Sequence, residues 1–361
     1  MKILVISNYR GKVSSRPEAE AMLALAKMGV NLTIMTFEDA EYATEFKKAG
    51  IRVIDFYTDK RLDKKDIAFI RNELKKGKYD IVHLFYGKAI VNGIRAARGL
   101  PVKVVLYRGY LGHINWWDPI AYFKFLHPRV DKIWCIAQGV ADYVNRQTIF
   151  TKKKAVCIHK GHHPSWYEGI EKADLSEFNI PQNAFVASII ANTRPMKGIP
   201  YLIKATYDIP KEIPFYLLLI GKGLDTEEVK KLVQKSPHKD RIIFTGFRDD
   251  ARSIVKATDV YVLSSLFGEA TNKSVIEAMS VGVAPVITDI EGNKGLVIDG
   301  ECGIVVPKAN SKAIADALIK LYENPDLRKK FAEAAPSHIA ENFSTEKTAK
   351  ELKEFYENML K

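Results

Sequence analysis

Short apolar runs rich in β-branched residues alternate with stretches of helical periodicity along the whole chain. The runs predict strands at residues 3–6, 32–35, 81–84, 102–106, 132–136 and 155–158, and again at 185–191, 216–221, 242–245, 260–263, 284–288 and 303–306. Helical stretches such as 16–27 and 64–75 lie between them. Strands that alternate with helices in this way predict parallel sheets with both faces covered.

The alternation is interrupted once, between His159 and Pro181, where glycines, a proline and several charged residues stand. A chain of 361 residues is long enough for two domains, each with its own core. We therefore predict an α/β protein with an N-terminal Rossmann-like domain at 1–165 and a C-terminal one at 166–344. The two domains are expected to face each other across a cleft.

Charge is divided unevenly between these halves. The chain as a whole has a formal charge of +12, but residues 1–165 hold 29 Lys and Arg against 15 Asp and Glu, whereas residues 166–361 hold 26 against 28. The excess in the first half comes in clusters: Lys60-Arg61, Lys64-Lys65, Lys75-Lys76-Gly77-Lys78 and Lys152-Lys153-Lys154. Such an excess indicates an anionic partner, which is a nucleic acid, an anionic membrane surface or a phosphorylated substrate.

Several classes of protein are excluded by the composition. The three cysteines are far apart and form no CxxC pair, which predicts free thiols in a reducing compartment. The apolar run at the N-terminus is too short for a signal peptide, and no stretch approaches the length of a membrane span. We expect a cytoplasmic protein, soluble or peripheral on the inner face of the membrane. His159, His162 and His163 lack a carboxylate partner nearby, so we predict hinge packing and no metal site.

One loop of the second half suits a phosphorylated ligand. Arg194 and Lys197 follow the strand at 185–191 and precede a predicted helix at 199–207. Ligands of open α/β sheets bind beyond the carboxyl ends of the strands, close to helix N-termini. Both cations would therefore reach a diphosphate there. The alternative is a solvated loop that happens to carry two cations.

A second loop follows the strand at 260–263 and carries Glu269, and a helix is predicted to begin near Asn272. Glu277 lies on the face of this helix that takes Ala278 and Met279 into the core. A carboxylate in an apolar run is costly unless it has a partner. Glu277 is therefore a candidate for binding ligand hydroxyl groups. The alternative is a surface glutamate beside a lysine.

Five sequence features follow one another in the second half of the chain. They are Arg-Pro-Met-Lys-Gly at 194–198, Glu269 and then Glu277 (together an E-x7-E pair), Ala-Met-Ser-Val-Gly-Val-Ala-Pro-Val at 278–286, and Gly-Glu-Cys-Gly-Ile-Val-Val-Pro at 300–307. Over residues 185–335 this resembles the family 4 retaining glycosyltransferases, which have the GT-B fold. The resemblance implies transfer of a sugar, with retention of anomeric configuration, from a nucleotide-diphosphate sugar to a hydroxyl of a glycan or glycolipid. Cell-surface polysaccharide or lipopolysaccharide biosynthesis is the setting that it suggests.

The resemblance also implies roles for individual residues. Glu269 would contact the donor sugar near the reacting centre, and Glu277 would hold the nucleotide ribose. Arg194 and Lys197 would neutralise the leaving diphosphate, so that neither a metal nor another cofactor is expected. The remaining donor contacts would be the backbone N–H groups of Thr271, Asn272 and Lys273 and, at the base edge, Phe247.

Two departures from the family pattern lie in these motifs. Ala270 and Asn272 stand where the family usually has glycine and then glycine or proline, and Asn192 stands where the motif arginine often lies. No side chain is an obvious nucleophile. We therefore expect front-face displacement, in which the departing phosphate helps to take the acceptor proton.

The first half resembles the family only in outline. Gly11 stands where the family usually has two glycines and would let the backbone approach the donor phosphates; the alternative is a plain turn glycine. His113 stands roughly where the family often has a cleft histidine and would hydrogen-bond a sugar; the alternative is a structural histidine. The C-terminal helix, at about 345–361, is expected to pack back on this domain.

The segment from Trp116 to Arg129 mixes aromatic and basic residues. Such a composition suits the headgroup level of a membrane, and the alternative is a core helix packed on the sheet. Together with the charge of the first half, it favours an anionic glycolipid acceptor or an anionic membrane surface as the partner of this domain.

Two other functions remain as alternatives. A basic nucleic-acid-binding protein would explain the charge, although the chain has no helix-turn-helix signature, zinc finger or aromatic RNA-binding motif, so we predict no nucleic-acid partner. A non-catalytic sugar-nucleotide-binding relative would explain the thin match in the first half. A phosphorylase is disfavoured, because no phosphate or cofactor site for it is found.

Overall fold

The structure is a computed structural model that describes residues 1–149 and 153–361, without the side chains of residues 12–14. The predicted basic cluster at 152–154 therefore lies partly outside the described residues. The chain divides into two compact units. The first unit comprises Met1–His162 and Phe343–Lys361, and the second comprises His163–Asn342. The predicted domains were 1–165 and 166–344.

The first unit is built on a seven-stranded parallel sheet of order β3-β2-β1-β4-β5-β6-β7. Its strands are β1 Lys2–Ile6, β2 Asn31–Thr36, β3 Arg52–Asp55, β4 Ile81–Leu84, β5 Lys103–Arg108, β6 Lys132–Cys135 and β7 Ala155–Cys157. Its helices up to this point are α1 Lys12–Lys27, α2 Ala43–Lys48, α3 Lys64–Gly77, α4 Gly87–Ala96 and α5 Gln138–Gln147.

The second unit repeats the same plan with a six-stranded parallel sheet of order β10-β9-β8-β11-β12-β13. Its strands are β8 Phe185–Ile190, β9 Phe215–Ile220, β10 Ile242–Gly246, β11 Val260–Leu263, β12 Ala284–Asp289 and β13 Ile304–Pro307. Its helices are α6 Ile199–Ala205, α7 Glu227–Val233, α8 Ala251–Lys256, α9 Lys273–Ser280, α10 Ser311–Glu323 and α11 Pro325–Asn342.

The predicted pair of Rossmann-like α/β domains is confirmed by these two sheets. The central strands are buried along their whole length and mostly apolar because helices cover both faces of each sheet, and no residue of β4 or β11 reaches the surface. The strand β3 was missed by the sequence pattern. It lies at the edge of its sheet, and Arg52 and Asp55 at its two ends are exposed, so it lacks a continuous apolar run.

The chain returns to the first unit through α12, Thr345–Leu360, which packs against α1. The buried face of α12 brings the Tyr356 hydroxyl to 2.7 Å from Nδ1 of His83 on β4. The Thr348 hydroxyl hydrogen-bonds the segment that leads out of the first unit. It donates to the His159 carbonyl at 2.7 Å and accepts from the Gly161 N–H at 2.8 Å. The core of the first unit is thus completed by residues from the far end of the chain.

The segment after β5 differs from the predicted core helix. Only Pro119–Phe123 is helical, as a short 3₁₀ turn capped by Asp118, and its large side chains point outward. The alternative of a helix buried against the sheet is therefore wrong. Among the residues that the structure describes, none belongs to a helix long and apolar enough to cross a bilayer.

Candidate functional site

The strand order of the second unit reverses direction between β8 and β11. In open α/β sheets the loops that follow two such neighbouring strands separate and leave a crevice at the carboxyl edge. The loop after β8 is Ala191–Gly198, and the loop after β11 is Ser264–Asn272. The two loops that the sequence singled out therefore flank the topological switch point of this sheet.

Backbone contacts hold these two loops together. The Leu266 N–H donates to the Met196 carbonyl at 2.7 Å, and the Ser264 hydroxyl donates to the Lys197 carbonyl at 2.9 Å. Gly198 permits this approach, because a Cβ at that position would lie 2.0 Å from the Ser264 carbonyl oxygen. Its φ of +66° also favours glycine. The glycine of the Arg-Pro-Met-Lys-Gly segment is thus required by close packing.

Lys197 and Glu269 form an ion pair across the two loops. Lys197 Nζ donates to Glu269 Oε1 at 2.6 Å, and only 12% of either side chain is exposed. The Ser265 hydroxyl donates to the same carboxylate oxygen at 2.9 Å. Ser265 is buried and was not predicted as a site residue. Because two donors converge on Oε1, the Glu269 carboxylate is held in place at the carboxyl edge of the sheet.

The loop that carries Glu269 has an unusual backbone. Gly268 has a φ of +79°, and Thr271, a β-branched residue, has a φ of +50°. The Thr271 N–H donates to the Gly292 carbonyl at 3.0 Å, so in this structure that N–H is occupied and does not point to a ligand as predicted. A Cβ at Gly292 would lie 1.8 Å from the Glu269 carbonyl oxygen. The segment after β12 therefore packs directly against this loop. A threonine with a strained backbone conformation, such as Thr271, is typical of functional sites.

Asn272 and Lys273 mark the start of α9, as the sequence predicted. The Asn272 side chain caps the helix by accepting from the Ser274 and Val275 N–H groups. This N-cap leaves the N–H groups of Asn272 and Lys273 without a hydrogen-bond partner among the described residues. Of the three N–H groups predicted to contact the donor, those of Thr271, Asn272 and Lys273, these two are available to an anion.

Glu277 lies one turn into α9, and its side chain is 14% exposed. Lys273 Nζ lies 3.4 Å from Glu277 Oε1, in the (i, i+4) relationship of a helix. The sequence left two readings open, a ligand-binding carboxylate and a glutamate paired with a lysine, and the structure shows the pair. Because the Lys273 side chain is 45% exposed, solvent screens its attraction to Glu277. The Glu277 carboxylate can therefore give up the contact with Lys273 and accept hydrogen bonds from a ligand instead.

A further hydrogen bond links the two switch-point strands. The hydroxyl of Tyr261, on β11, donates to the Ser274 hydroxyl at 2.6 Å and accepts from the Ile190 N–H at 3.2 Å. Burial raises the pKa of Tyr261 well above its ordinary value. In the sequence, the only indication of this contact is that a tyrosine, Tyr261, stands in an otherwise aliphatic strand.

Arg194 and Asn192 lie at the surface, on the open side of the same loop. The Asn192 side-chain oxygen accepts from the Arg194 N–H at 3.2 Å. The guanidinium of Arg194 has no hydrogen-bond or carboxylate partner in the part of the chain that the structure describes. A pocket of about 420 Å³ opens beside both residues and is also lined by Tyr201, Gly223 and Leu266. An uncompensated cation thus stands at the rim of a cavity.

Phe247 directly follows β10, which is separated from β8 by β9. Its side chain is 71% exposed. The neighbouring Arg248 is held by Glu177 and Asp250 at 2.9 and 2.7 Å. Phe247 therefore lies at the same edge of the sheet as the Lys197–Glu269 pair, two strands away from β8, with an exposed aromatic face.

Gly11 and His113 belong to the first unit. Gly11 follows β1 and has a φ of +90°, so the position favours glycine for its conformation. His113 lies in the loop after β5, with a φ of +58°, and its side chain is exposed. Exposure argues against the alternative of a buried structural histidine.

The first unit also holds a buried carboxylate that the sequence did not single out. Glu18 on α1 is 3% exposed, and its Oε1 accepts from the Tyr107 hydroxyl at 2.9 Å and from Lys160 Nζ at 3.1 Å. Oε2 has no partner among the described groups. Burial, and then the Glu18 charge, raise the pKa of Tyr107.

Within the described ranges, no group of three or more His, Cys, Asp and Glu side chains is arranged to hold a metal ion. The His159 Nδ1–H donates to the Ile136 carbonyl at 3.2 Å, and the centre of its ring lies 4.8 Å from that of Phe343. Burial lowers the pKa of His159, so the neutral ring is favoured.

Comparisons with known proteins agree with this picture. Residues 19–166 match the model of Glycosyltransferase Family 4, and residues 171–338 match that of Glycosyl transferases group 1. An uncharacterized glycosyltransferase of Methanocaldococcus jannaschii is 29% identical over 300 residues, which are 81% of this chain and 72% of that protein.

Two further relatives are more informative about ligands. The UDP-Gal:alpha-D-GlcNAc-diphosphoundecaprenol alpha-1,3-galactosyltransferase of Escherichia coli is 27% identical over 321 residues, 82% of this chain and 80% of that protein. The structure of Anabaena HepE in complex with UDP superposes with a TM-score of 0.74 at 19% identity, over 99% of this chain and 100% of that one. The latter likeness concerns the fold.

Proposed function

The chain belongs to the family 4 glycosyltransferases of the GT-B fold, and from this we propose that its second unit binds a nucleotide-diphosphate sugar whose sugar is transferred to an acceptor hydroxyl at the first unit. The nucleotide is proposed to be UDP, since the Escherichia coli relative is named for UDP-Gal and the Anabaena structure holds UDP.

The observation that carries the proposal is the Lys197–Glu269 pair at the switch point of the second sheet. A cation and a carboxylate lie 2.6 Å apart at the carboxyl edge, where phosphorylated ligands of such sheets bind. A diphosphate that approaches Lys197 would draw its ammonium group away from Glu269. The carboxylate would then be left to accept hydrogen bonds from sugar hydroxyls, while Glu277 would do the same for the ribose.

The leaving diphosphate would be stabilised by groups of the chain itself. Among the described residues, the Arg194 guanidinium has no partner and Lys197 Nζ has only Glu269, so both can meet the charge that grows as the glycosidic bond breaks. The N–H groups of Asn272 and Lys273 at the start of α9 would add their dipole. With this set of donors we expect the reaction to need no metal ion.

Retention of anomeric configuration is part of the proposal. Glu269 Oε1 accepts hydrogen bonds from both Lys197 and Ser265, which lowers its nucleophilicity. Front-face displacement would then be the route: the acceptor hydroxyl attacks the anomeric carbon on the side that the diphosphate leaves, and its proton goes to a departing phosphate oxygen. His113 would hydrogen-bond the donor or acceptor sugar, and Gly11 would let the backbone approach the phosphates.

The acceptor is proposed to be a glycan or glycolipid at the inner face of a membrane, in cell-surface polysaccharide or lipopolysaccharide biosynthesis. The first unit holds 33 basic and 19 acidic residues, whereas the second holds 22 and 24. Donor phosphates need only a few cations, so the surplus on the first unit suits an anionic acceptor. The Escherichia coli relative is named for a diphosphoundecaprenol-linked acceptor, which is anionic.

The proposal is tested by a thermal-shift screen with UDP-, GDP-, ADP- and CMP-sugars in the presence of a chelator. A bound donor raises the melting temperature by mass action, and we expect UDP-sugars to do so for the wild type and not for Lys197→Met. Transfer to a lipid-diphosphate sugar is then followed, with the product anomer read by NMR. Slow donor hydrolysis without transfer would identify a non-catalytic relative, and an inverted anomer would refute retention.

A further inference from the structure

Three of the large apolar side chains that the first unit exposes lie on one short segment. Trp117, Ile120 and Phe123 are 68%, 62% and 55% exposed, and we call these three residues the apolar patch. In a 3₁₀ helix residues three apart lie on the same side, so Ile120 and Phe123 project together from the turn Pro119–Phe123. Trp117 stands three residues before Ile120. The patch is thus a short ridge on the connection between β5 and β6.

This exposure is not a consequence of a loose loop. Asp118 caps the turn by accepting from the Ile120 N–H at 2.9 Å, and the Tyr122 hydroxyl donates to the Trp116 carbonyl at 2.8 Å. Tyr143, on α5, bonds the loop through its hydroxyl, which lies 2.6 Å from the Ile114 carbonyl oxygen. The backbone is fixed from both sides while the three apolar side chains face outward. Apolar groups that are held in solvent in this way mark an interaction surface.

A basic pocket adjoins the patch. Its volume is about 750 Å³, and Arg95, Arg98, Phe123 and His127 are among its lining residues. The Arg95 guanidinium lies 5.7 Å from the centre of the Phe123 ring, so Phe123 belongs to both the patch and the pocket. The side chains of Arg95 and Arg98 have no carboxylate within ion-pair distance in the described chain, whereas Arg129 is offset by Asp131 at 2.9 Å.

The surroundings strengthen this positive field. Residues 81–130 contain seven basic residues and a single acidic one, Asp118. Burial, followed by the charges of Arg95, Lys154, Arg129 and Arg98, lowers the pKa of His127. An anion in the pocket would meet two arginines without competing protein carboxylates.

We propose that the apolar patch and the basic pocket together dock the first unit on a bilayer that contains anionic phospholipid. The ridge would enter the interface between headgroups and acyl chains, and a lipid phosphodiester would sit between Arg95 and Arg98. Apolar side chains beside unpaired arginines match a surface with an apolar interior and anionic headgroups. This inference rests on the proposed function only in that the acceptor is anchored in a lipid.

A second copy of the chain suits this surface less well. In a two-fold dimer the same patch faces itself, which would bring Arg95 and Arg98 against their own copies without a carboxylate to separate them. Single-stranded nucleic acid would combine the aromatic rings and the cations in another way, by stacking of its bases. Both occupants are distinguished by the experiment below.

The test is co-sedimentation of the full chain with vesicles of phosphatidylcholine, with and without phosphatidylglycerol, at low and high salt. We expect binding only with phosphatidylglycerol. Arg95→Gln/Arg98→Gln should weaken the partition coefficient about thirtyfold, since each arginine near such a surface contributes about a fivefold factor. Trp117→Ser/Ile120→Ser/Phe123→Ser should weaken it on the order of tenfold or more. These side chains are exposed or lie at the pocket rim, and melting temperatures confirm that the variants fold.

Matched controls lie at the other end of the same sheet. Leu360 is 40% exposed beside Met1, at the amino end of β1, and Leu360→Ser should bind vesicles as the wild type does. Lys27→Gln/Lys48→Gln removes two exposed charges at the ends of α1 and α2 and should weaken binding far less than the arginine pair.

Each other outcome overturns the proposal. Patch variants that bind as the wild type does, or equal binding to neutral vesicles, would refute it. If the wild type is a dimer in sedimentation velocity and the patch variants are monomers, the surface belongs to a second copy of the chain. If an oligonucleotide displaces the protein from vesicles at equal affinity, the surface belongs to nucleic acid. Transfer to a short-chain, water-soluble acceptor should be unchanged in all these variants. If the wild type catalyses this transfer but does not bind anionic vesicles, this inference fails while the proposed function stands.

Discussion

Lys197 Nζ and Glu269 Oε1 lie 2.6 Å apart, although 72 residues separate them in the sequence. Both side chains are largely withdrawn from solvent, at 12% exposure each. The strand order β8-β11 is what brings them together, because it places the loops after these two strands side by side. The pair therefore links the stability of the second unit to its chemistry.

Replacing Lys197 by methionine leaves the Glu269 carboxylate without its main partner. We expect the free energy of unfolding to fall by about 3 kcal/mol. Glu269→Gln should cost less, because the amide oxygen can still accept hydrogen bonds from Lys197 and Ser265. The double variant should recover part of the loss in a double-mutant cycle measured by urea unfolding. As a control, Lys294→Met breaks an exposed pair with Glu291 and should cost under about 1 kcal/mol. Equal costs for Lys197 and Lys294 would contradict the account.

Replacing Arg194 by glutamine should separate function from stability. The guanidinium has no partner among the described residues, so the melting temperature is expected to stay unchanged. The value of kcat/KM for sugar transfer should fall about a hundredfold, since one charge on the leaving group is no longer compensated. Lys235→Gln, an exposed lysine after α7, serves as the control and should leave both quantities as they are. An active Arg194→Gln enzyme would remove this residue from the site.

Replacing Gly292 by alanine should displace the loop that carries Glu269. The new Cβ would meet the Glu269 carbonyl oxygen at 1.8 Å, a contact that only movement of the backbone relieves. We expect loss of transfer activity and a lower melting temperature. Gly295→Ala is the matched control: it has a φ of +78° but no atom within 4 Å of its Cβ, so it should cost about 1 kcal/mol of strain without loss of activity.

Acid should destabilise the first unit through His83. Burial lowers its pKa from 6.5 to about 3, in a site formed by the Tyr356 hydroxyl and the rings of Phe85 and Trp134. The unfolded chain takes up this proton below about pH 6.5 and the folded one does not, so stability is present above that pH and is lost as the pH falls towards 3.

The slope that this histidine adds is up to about 1.4 kcal/mol per pH unit. In His83→Gln that contribution is absent, and urea unfolding at several pH values should show a shallower decline than in the wild type. The buried His159 titrates in the same direction and remains in the variant, so the decline is reduced and not abolished. Parallel curves for the two proteins would disprove the assignment.

The alternation of strands and helices could be predicted from the sequence because buried parallel strands are apolar along their whole length. β4 and β11 begin and end at the predicted residues, and α12 spans Thr345–Leu360. The edge strand β3 could not be predicted in this way, since its ends are exposed. The segment after β5 was ambiguous because tryptophan, isoleucine and phenylalanine mark a core helix and an exposed ridge equally well, and only the packing decides between them.

The candidate site was predictable at the level of loops and less so at the level of contacts. The E-x7-E spacing and the basic residues after β8 pointed to two loops that the structure places side by side at the carboxyl edge of the sheet. The pairing of Lys197 with Glu269, the support from Ser265 and the occupied N–H of Thr271 depend on strand order and loop conformation, which no local pattern encodes. The Lys273–Glu277 pair is local, with the partners four positions apart, and was one of the two alternatives that the sequence offered.

The second unit is one continuous stretch of chain between two residues of the first. The His162 N–H donates to the Phe343 carbonyl at 2.7 Å. The backbone segment that leaves the first unit and the one that returns to it are therefore hydrogen-bonded to each other. A segment whose two attachment points are adjacent can be exchanged without rebuilding its host. Residues 163–342 thus form an exchangeable insert. If the proposed function holds, we expect that grafting the corresponding stretch of a relative between His162 and Phe343 changes the sugar that is transferred and leaves the acceptor the same.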